Sequence, residues 1–514
     1  MSEPKYLKHL EGAVPEEVHG YTVSSYTVAL EGWRRGLTLK FINKNRRKSE
    51  LVYSLSNGER EHIFSVARGD LVTREAIKTC MDKSLTKERL LEAGIATPIG
   101  KAFPSEAKEK DFLSYANEIG YPLVVKPIDG TAGTGVITGI ETGEKLIDAI
   151  NYVKSELGFK NIIIEKYIQG EDYRLYVIGE KVIGIFTRDR ANVIGDGRST
   201  IKQLVAKKNE VRASNPALKG KSKINLGQEA RTLLKEKGYD FNSVPKKDEK
   251  VYLNTKNNVS SGGDPSDATD LIPEELKQIA VNAVKAIPGL IQGGVDMIID
   301  LEKKSGYVLE INSRPHIRSH LFPMQGQARD IPKEVIDFYF PETKGYQIPN
   351  ILYFDFPLMY KSFYRGYSQE YTIPDHPIDN PVLKRFKVNR INNKSELAKK
   401  CRSTALSLGL SGYIKGTKDG GASLVLAGNE EKISKFTKRI FTGTNMVIEE
   451  NPRKTPVKIG FEVINMKDKG NKVNVNYNDP NIDGYFPIKI DFETKKKKKK
   501  SKKKSSKARK SERR

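Results

Sequence analysis

Apolar and polar residues alternate in short runs near the start of the chain, and two of those runs read as strands. LTLKFI at 37 to 42 and LVYSL at 51 to 55 have this period, and a helical stretch around Val28 to Arg35 precedes them. Residues 1–80 are therefore expected to form a small α/β domain. Between Asp82 and Pro341 helices and strands alternate: a helix at 84 to 93 stopped by Gly94, a strand LVVKP at 123 to 127, a helix near 144 to 156 and a strand NIIIEKY at 161 to 167. RLYVIG and KVIGIFTR then give a hairpin signal across Gly179 to Lys181. Residues 81–341 are thus α+β or α/β and not a helical bundle.

Residues 342–380 are rich in Tyr, Phe and Pro without a clean period and read as a connecting segment packed against its neighbours. The block 381–450 runs strand, helix 395 to 408, the turn LGLSG, the strands YIKGT and ASLVLAG across DGG, and a helix from near Glu430. That order is β-α-β-β-α-β, the ferredoxin-like split unit. Residues 451–493 are polar apart from VKIGFEVI at 457 to 464, and the Lys/Ser tail 494–514 has too little apolar content to fold.

With 514 residues, of which 37% are hydrophobic, the chain can bury several packed units. The net charge of +25 suggests nucleic-acid binding until it is divided along the chain. Residues 495 to 514 hold 14 Lys or Arg against one Glu, or +13, leaving +12 (25 minus 13) for the body. The tail is expected to be a solvated, salt-sensitive arm for an anionic polymer or surface, and without aromatic residues it implies no base stacking. Cys80 and Cys401 have no CxxC or Cys/His spacing, so neither a disulfide framework nor a zinc site is expected. No apolar run is long enough to span a bilayer, and MSEPKYLKHLEG lacks the apolar core of a secretory signal, so the expected location is cytoplasmic.

Candidate chemistry is concentrated in three places. GGVDMIID at 293 to 300 and GYVLEINSRP at 306 to 315 put Asp296 on one strand and Glu310 and Asn312 on the next. Residues i and i+2 share a strand face, so two carboxylates and an amide oxygen form a hard oxygen set suited to Mg²⁺ on a triphosphate. Polar residues at ordinary strand ends are the alternative. In VVKPIDGTAGTGV at 124 to 136, Lys126 ends an apolar strand and Gly130, Gly133 and Gly135 follow. Such a loop can bring backbone N–H groups to phosphates, although it is not a P-loop and a simple glycine turn is the alternative. IIIEKYIQGEDYR at 162 to 174 offers an apolar wall for an adenine and an acid for ribose hydroxyls, or else a plain edge strand.

Together with Lys83 in MDKSLTKERLLEAGIATPIGKAF, these segments in this order resemble the ATP-grasp superfamily. RLYVIGEKVIGIFTRDRANVIGDGRSTIKQLV, VYLNTKNNVSSGGDPSDATD and VLEINSRPHIRSHLFPMQGQARDIP are similar to the ATP-grasp modules of cyanophycin synthetases and of fused glutamate-cysteine ligase/glutathione synthetases. The likeness spans roughly residues 10 to 341 and makes the first domain pre-ATP-grasp-like. It implies ATP and Mg²⁺ or Mn²⁺ as cofactors, and an amino acid or peptide substrate joined through an acyl phosphate; homo-oligomers are common among such modules.

By the same resemblance, Lys83, Lys126, Gly130, Gly133 and Gly135 hold phosphates, and Glu165, Lys166, Tyr167 and Ile168 hold adenine, with Asp172 at the ribose. Asp296, Glu310 and Asn312 bind metal, while Arg188, Arg318 and Asn312 act on the transferred groups. Asn258, Ser260, Ser261, Gly262, Arg314 and His320 are the candidate substrate residues. Two positions depart from the pattern: Thr134 replaces a frequent basic residue and Arg190 a frequent proline. No Mur-ligase-like or glutamate-cysteine ligase module accompanies this one, so a single ligation step is the expected activity. A nucleotide-binding scaffold without turnover is the alternative.

ALSLGLSGYIKG and DGGASLVLAG resemble acylphosphatase. Aligned on LGLSG, the catalytic arginine and asparagine of that family fall on Ala398 and Gly416. Loss of a bidentate phosphate ligand and of the amide that orients water implies an inactive domain used for packing, dimerisation or docking. Arg385 and Arg390 are the nearest substitutes for the missing arginine.

Overall fold

The computed structural model describes residues 4–44, 51–130, 134–218, 223–255, 257–346, 349–377, 381–451 and 455–466. Gly133, residues 467–493 of the polar C-terminal region and the Lys-rich tail lie outside them, as does the side chain of Ser260.

The helix Val23–Arg34 buries Tyr26, Val28, Ala29, Leu30 and Trp33, so it needs cover on more than one side. One cover is an antiparallel sheet with the order Glu370–Thr372, Thr38–Asn43, Leu51–Ser56, Glu61–Ser65, Arg68–Gly69. Another is the helix Ile331–Tyr339. The space between is filled by the aromatic stretch that the sequence left without regular structure. Phe354 lies 4.9 Å from Tyr26 and 5.8 Å from both Trp33 and Phe41, ring centre to ring centre. Residues 342–380 are therefore more than a connector: they supply rings to the N-terminal core and an edge strand to its sheet. Buried Arg34 fastens this return, donating to the Leu352 carbonyl, Asn350 Oδ1 and the His9 carbonyl, while Trp33 Nε1 donates to the Pro374 carbonyl.

Two antiparallel sheets make up the middle of the chain. The first runs Gly100–Phe103, Ile162–Lys166, Leu123–Pro127, Ile137–Ile140 and packs one face on the helices Glu109–Ile119 and Gly143–Asn151. The second runs Asp264–Asp267, Lys181–Asp189, Glu171–Ile178, Gln292–Asp300, Ser305–Asn312. Leu175, Val177, Ile185, Val295, Met297 and Ile299 of the second sheet pack with Leu276, Ala280 and Val284 of the helix Glu274–Lys285. The residues between them are left for the opposite face, where the polar groups lie. The expected hairpin is present, turning at Gly179 and Glu180. Between the strands Lys181–Asp189 and Asp264–Asp267 a satellite unit is inserted, with the helices Ile201–Ser214 and Gln228–Glu236 on a two-stranded ribbon.

The C-terminal block has the sheet order Val447–Asn451, Val382–Asn389, Ala422–Gly428, Ser411–Gly416, Phe461–Ile464. Its first four strands are in local order 4-1-3-2, as the ferredoxin-like unit requires. The fifth comes from VKIGFEVI and is parallel to Ser411–Gly416. One face, with Phe386, Val388, Leu424 and Leu426, takes the two helices, and the other joins the N-terminal core through Val425 and Ala427. The first helix begins at Lys394, capped by Asn393, one turn earlier than the LGLSG alignment implies. Ala398 is thus a buried second-turn residue and not a helix-start position. A Cβ on Gly416 would lie 2.3 Å from the Asn465 carbonyl, so no asparagine fits there. Arg385 donates to Ser423 Oγ, and Arg390 sits exposed at the strand–helix turn with φ 55°. Among the described residues no helix is long and apolar enough to cross a membrane.

Phe354→Ala removes the ring that joins the returning segment to the N-terminal core and should cost about 3–5 kcal/mol. Trp33, the only tryptophan, reports that core by fluorescence during urea unfolding. An unchanged midpoint would contradict the packing described.

Candidate functional site

The chain passes directly from the strand Ile162–Lys166 of the first sheet to Glu171–Ile178 of the second. Four residues make the crossing, and Gly170 (φ 145°) allows it: a Cβ there would lie 2.7 Å from both Ile298 Cγ2 and the Ile299 carbonyl oxygen. The backbone N–H groups of Lys166 and Tyr167 donate to the carbonyls of Ile99 and Pro122, fixing the hinge to the first sheet. Lys166 Nζ is turned away, donating to the carbonyls of Gly120 and Tyr121.

On the first sheet, Val124 pairs with Glu165 and Lys126 with Ile163, so the alternate positions Lys126 and Glu165 share a face. Lys126 Nζ lies 2.6 Å from Glu165 Oε2, and Lys87 Nζ lies 3.6 Å from Oε1. The sequence assigned Glu165 to adenine; instead its buried carboxylate holds two lysines side by side. Lys87 was not foreseen, although its i+4 offset from Lys83 on the helix Lys83–Glu92 was a readable signal. Burial pushes the Lys87 ammonium down, and Glu165 opposes that shift. Lys83 Nζ reaches the Gly130 carbonyl at 3.4 Å, and Gly130 and Gly135 both fold back on Pro127. Lys83 thus stands at the start of the glycine loop, while Lys87 and Lys126 share Glu165.

On the second sheet the register lines up Phe186, Arg174, Asp296 and Glu310 across four strands, with Asn312 opposite Gly294 one step along. Arg174 grips Asp296 through both guanidinium edges, Nε to Oδ1 at 2.5 Å and Nη2 to Oδ2, and lies 3.7 Å from Glu310 Oε1. Asn312 Nδ2 donates to Glu310 Oε1 at 3.1 Å. Arg188 bridges Asp172 Oδ2 (3.2 Å) and Asp296 Oδ1 (3.4 Å). Asp172, expected at a ribose, therefore stands in this ionic group, with its buried Oδ1 lacking a hydrogen-bond partner among the described residues.

The charges of this group are coupled. Burial alone would raise the Asp296 carboxyl, but the guanidiniums of Arg174 and then Arg188 hold it below the usual range. Glu310 is pushed up by burial and then by the charge of Asp296. Burial also raises Asp172, against the pull of Arg188. Two adjacent carboxylates with an amide oxygen beside them fit a divalent ion with hard oxygen preference. Asp296, Glu310 and Asn312 do come together. Arg174, missed as a site residue, now neutralises the pair; its even spacing from Asp172 was the only hint in the sequence.

Two other expectations are corrected. His320 does not face a substrate: it is buried, 4.7 Å from the Phe186 ring, and its Nδ1 would lie 2.9 Å from a Cβ on Gly184. Burial and the charges of Arg174, Arg188 and Arg329 push its imidazole down to about 3, so it is neutral. Arg318 stacks over Tyr21 at 4.0 Å and has no ion pair with the Asp296 group among the described residues. Arg314 is exposed and donates to Ser65 Oγ. Asn258, Ser261 and Gly262 lie in a tight turn, in which the Asn258 carbonyl accepts from Ser261 and Gly263. Buried Arg212 fixes that turn through the carbonyls of Val259 and Gly263 and through Asp264.

Residues 80–215 match the RimK-like ATP-grasp domain family. The chain is 35% identical over 338 residues to the glutathione biosynthesis bifunctional protein of Clostridium perfringens, covering 62% of this chain and 41% of that one. It is 33% identical over 280 residues to the cyanophycin synthetase of Synechocystis sp., covering 53% and 32%. Among solved structures, a bifunctional glutathione synthetase from Pasteurella multocida aligns with 30% identity and a TM-score of 0.48, covering 59% of this chain and 42% of that one. The chain thus spans less than half the length of these relatives.

Arg174→Met leaves Asp296 and Glu310 facing each other and should destabilise the protein by about 3–5 kcal/mol. Millimolar Mg²⁺ should restore part of the melting temperature in the variant and change the wild type less. A variant as stable as the wild type would contradict the proposed neutralisation. His316 is pushed down to about 3 and His376 to about 4, each chiefly by burial, as His320 is. Below their unfolded value near 6.5 the unfolded chain binds more protons than the folded one. Their stability contribution is complete above that pH and is lost as pH falls through 6 towards 4. His320→Gln should lessen the fall in melting temperature between pH 7 and pH 4.5, and an identical slope would contradict its neutral burial.

Proposed function

We propose that the protein is an ATP- and Mg²⁺-dependent carboxylate–amine ligase that forms an amide or peptide bond through an acyl phosphate on an amino acid or peptide substrate. The observation that carries this reading is a lysine pair gathered on Glu165 of one sheet and a carboxylate–amide group on the next, linked by a four-residue hinge. Kinship with a glutathione-forming protein and a cyanophycin synthetase supports the same class of chemistry, which those names ascribe to the relatives.

In this scheme the hinge backbone and Ile168 receive the base. Lys87 and Lys126, held side by side by Glu165, and Lys83 at the Gly130 carbonyl hold the phosphates. Asp296, Glu310 and Asn312 hold the divalent ion, which when bound screens the triphosphate charge. A carboxylate oxygen of the acid attacks the γ-phosphorus, the bond to the β,γ-bridging oxygen breaks, and ADP leaves. The amine then attacks the acyl carbon, loses a proton, and expels phosphate with the former carboxylate oxygen. Arg188 and Arg174 line this path with positive charge already positioned, so catalysis is mainly placement and electrostatics. His320, neutral but enclosed, is not placed to take the proton.

Purified protein should release ADP only with Mg²⁺, a carboxylic acid and an amine all present, screened over amino acids and small acidic peptides. Glu310→Gln should lower the rate by about 10²–10³-fold while leaving the fold intact. Amine-independent ADP release, or full activity in that variant, would contradict the reading.

A further inference from the structure

The positive charge that remains when the Lys-rich tail is set aside is not spread evenly. Of the +12 on residues 1–494, residues 381–451 hold +8, from 14 Lys or Arg against six Asp or Glu, and residues 452–494 hold +1, from seven against six. The first 380 residues therefore carry only +3 (12 minus 8 minus 1). The ferredoxin-like block is a cationic body in its own right, and its fold decides where that charge stands.

One face of its sheet joins the N-terminal core at Val425 and Ala427, so the helices Lys394–Ser407 and Glu430–Phe441 on the other face form the outward layer. The first buries Leu397, Ala398, Cys401 and Ala405, and helical periodicity then leaves Lys399 and Lys400 on the side away from the sheet. The second buries Ile433, Phe436 and Ile440 and leaves Lys435 and Lys438 outward, with Lys432 and Arg439 on its flank. All six cations are exposed. The strands that lead into the two helices are antiparallel neighbours, so the helices are antiparallel as well, and they pack on each other. The first half of one therefore runs beside the second half of the other, which brings Lys399 and Lys400 to the same end of the layer as Lys438 and Arg439.

Helix electrostatics explain only part of this pattern. Lys438 and Arg439 occupy a last turn, where the dipole favours cations, but Lys399 and Lys400 lie in the first half of their helix, where it does not. Lys400 pairs with Glu396 at 2.8 Å and Lys435 with Glu431 at 2.7 Å. Among the described residues, no carboxylate lies within 4.0 Å of Lys399, Lys432, Lys438 or Arg439. A polyanion that reaches several of these cations at once relieves their mutual repulsion. The make-up of the face selects the polyanion. Five of the six are lysines, hydrated point charges that suit a phosphate backbone and lack the fork that matches carboxylates bidentately. Phe386, Phe436 and Phe441 are buried and Tyr413 packs on the N-terminal core, so no ring is offered to an unpaired base. Leu406 and Val447 are the only exposed large apolar side chains described in the block, too few to wedge into a lipid surface.

We propose that the outer face of the helices Lys394–Ser407 and Glu430–Phe441 docks the sugar–phosphate backbone of double-stranded nucleic acid without regard to base sequence. None of the lysines, arginines or carboxylates of the candidate site belongs to this layer, so the inference stands apart from the ligase reading.

The test is fluorescence anisotropy of a labelled DNA duplex about two helical turns long, titrated with the full chain between about 0.05 and 0.2 M salt. One variant carries Lys399→Gln, Lys400→Gln, Lys435→Gln and Lys438→Gln. A second carries Lys202→Gln, Lys207→Gln, Lys235→Gln and Lys237→Gln at exposed positions of the satellite unit, so both lose the same charge and both keep the tail. The wild type should bind AT-rich and GC-rich duplexes alike, with the logarithm of its affinity falling linearly against the logarithm of salt. The helix-face variant should lose about ten-fold or more at about 0.15 M salt, and its slope should be shallower by about 3 to 4. The satellite variant should stay within about three-fold of the wild type. Equal losses in the two variants would assign binding to net charge and overturn the docking face, as would no binding or a preference for one duplex sequence. Displacement of the duplex by polyglutamate or by phosphatidylserine vesicles at equal charge would overturn it too, in favour of an acidic polypeptide or a membrane.

Discussion

The bidentate contact of Arg174 with Asp296 is the constraint on which the rest of the site depends. Three strands must hold register for Arg174, Asp296 and Glu310 to stand in one row, and a one-residue slip of any strand would send its member to the apolar face. The register is fixed from the other side of the sheet, where Leu175, Val295 and Met297 are buried under the helix Glu274–Lys285. Burial of aliphatic residues on one face thus specifies the ionic geometry on the other. Arg188 and Asp172 then fit around that row through their ion pair, with the neutral His320 buried nearby.

The first sheet follows the same logic with the opposite sign of excess charge. There a single buried carboxylate, Glu165, holds Lys126 and Lys87, and the glycine loop receives Lys83. A cation-rich edge and a carboxylate-rich edge joined by a short hinge suit a ligand that is polyanionic at one end and metal-bridged along its length. The N-terminal domain, the aromatic return through Phe354 and the C-terminal sheet share one core.

Much of this was legible in the sequence. Strand alternation located Lys126, Asp296, Glu310 and Asn312 on the right elements, and the split β-α-β order of the C-terminal block emerged from its turns. Side-chain partnership across strands was not legible, because it depends on register between segments over a hundred residues apart. Arg174 gains its role only with Asp296 opposite it, and Lys87 only with Glu165 in reach. His320 failed for a different reason: the resemblance implies a substrate residue, whereas only the closeness of Gly184 and Phe186 shows that it is enclosed. Residues 342–380 defeated periodicity because their rings pack singly into a core built by other segments.

The most direct measurement of the central claim follows the carboxylate oxygen. An acid labelled with ¹⁸O, turned over with ATP, Mg²⁺ and an amine, should pass one labelled oxygen per turnover into inorganic phosphate, seen as an isotope-shifted ³¹P resonance. Label remaining wholly in the amide product and the unreacted acid, with ADP still released, would contradict an acyl phosphate and the use of this site described here.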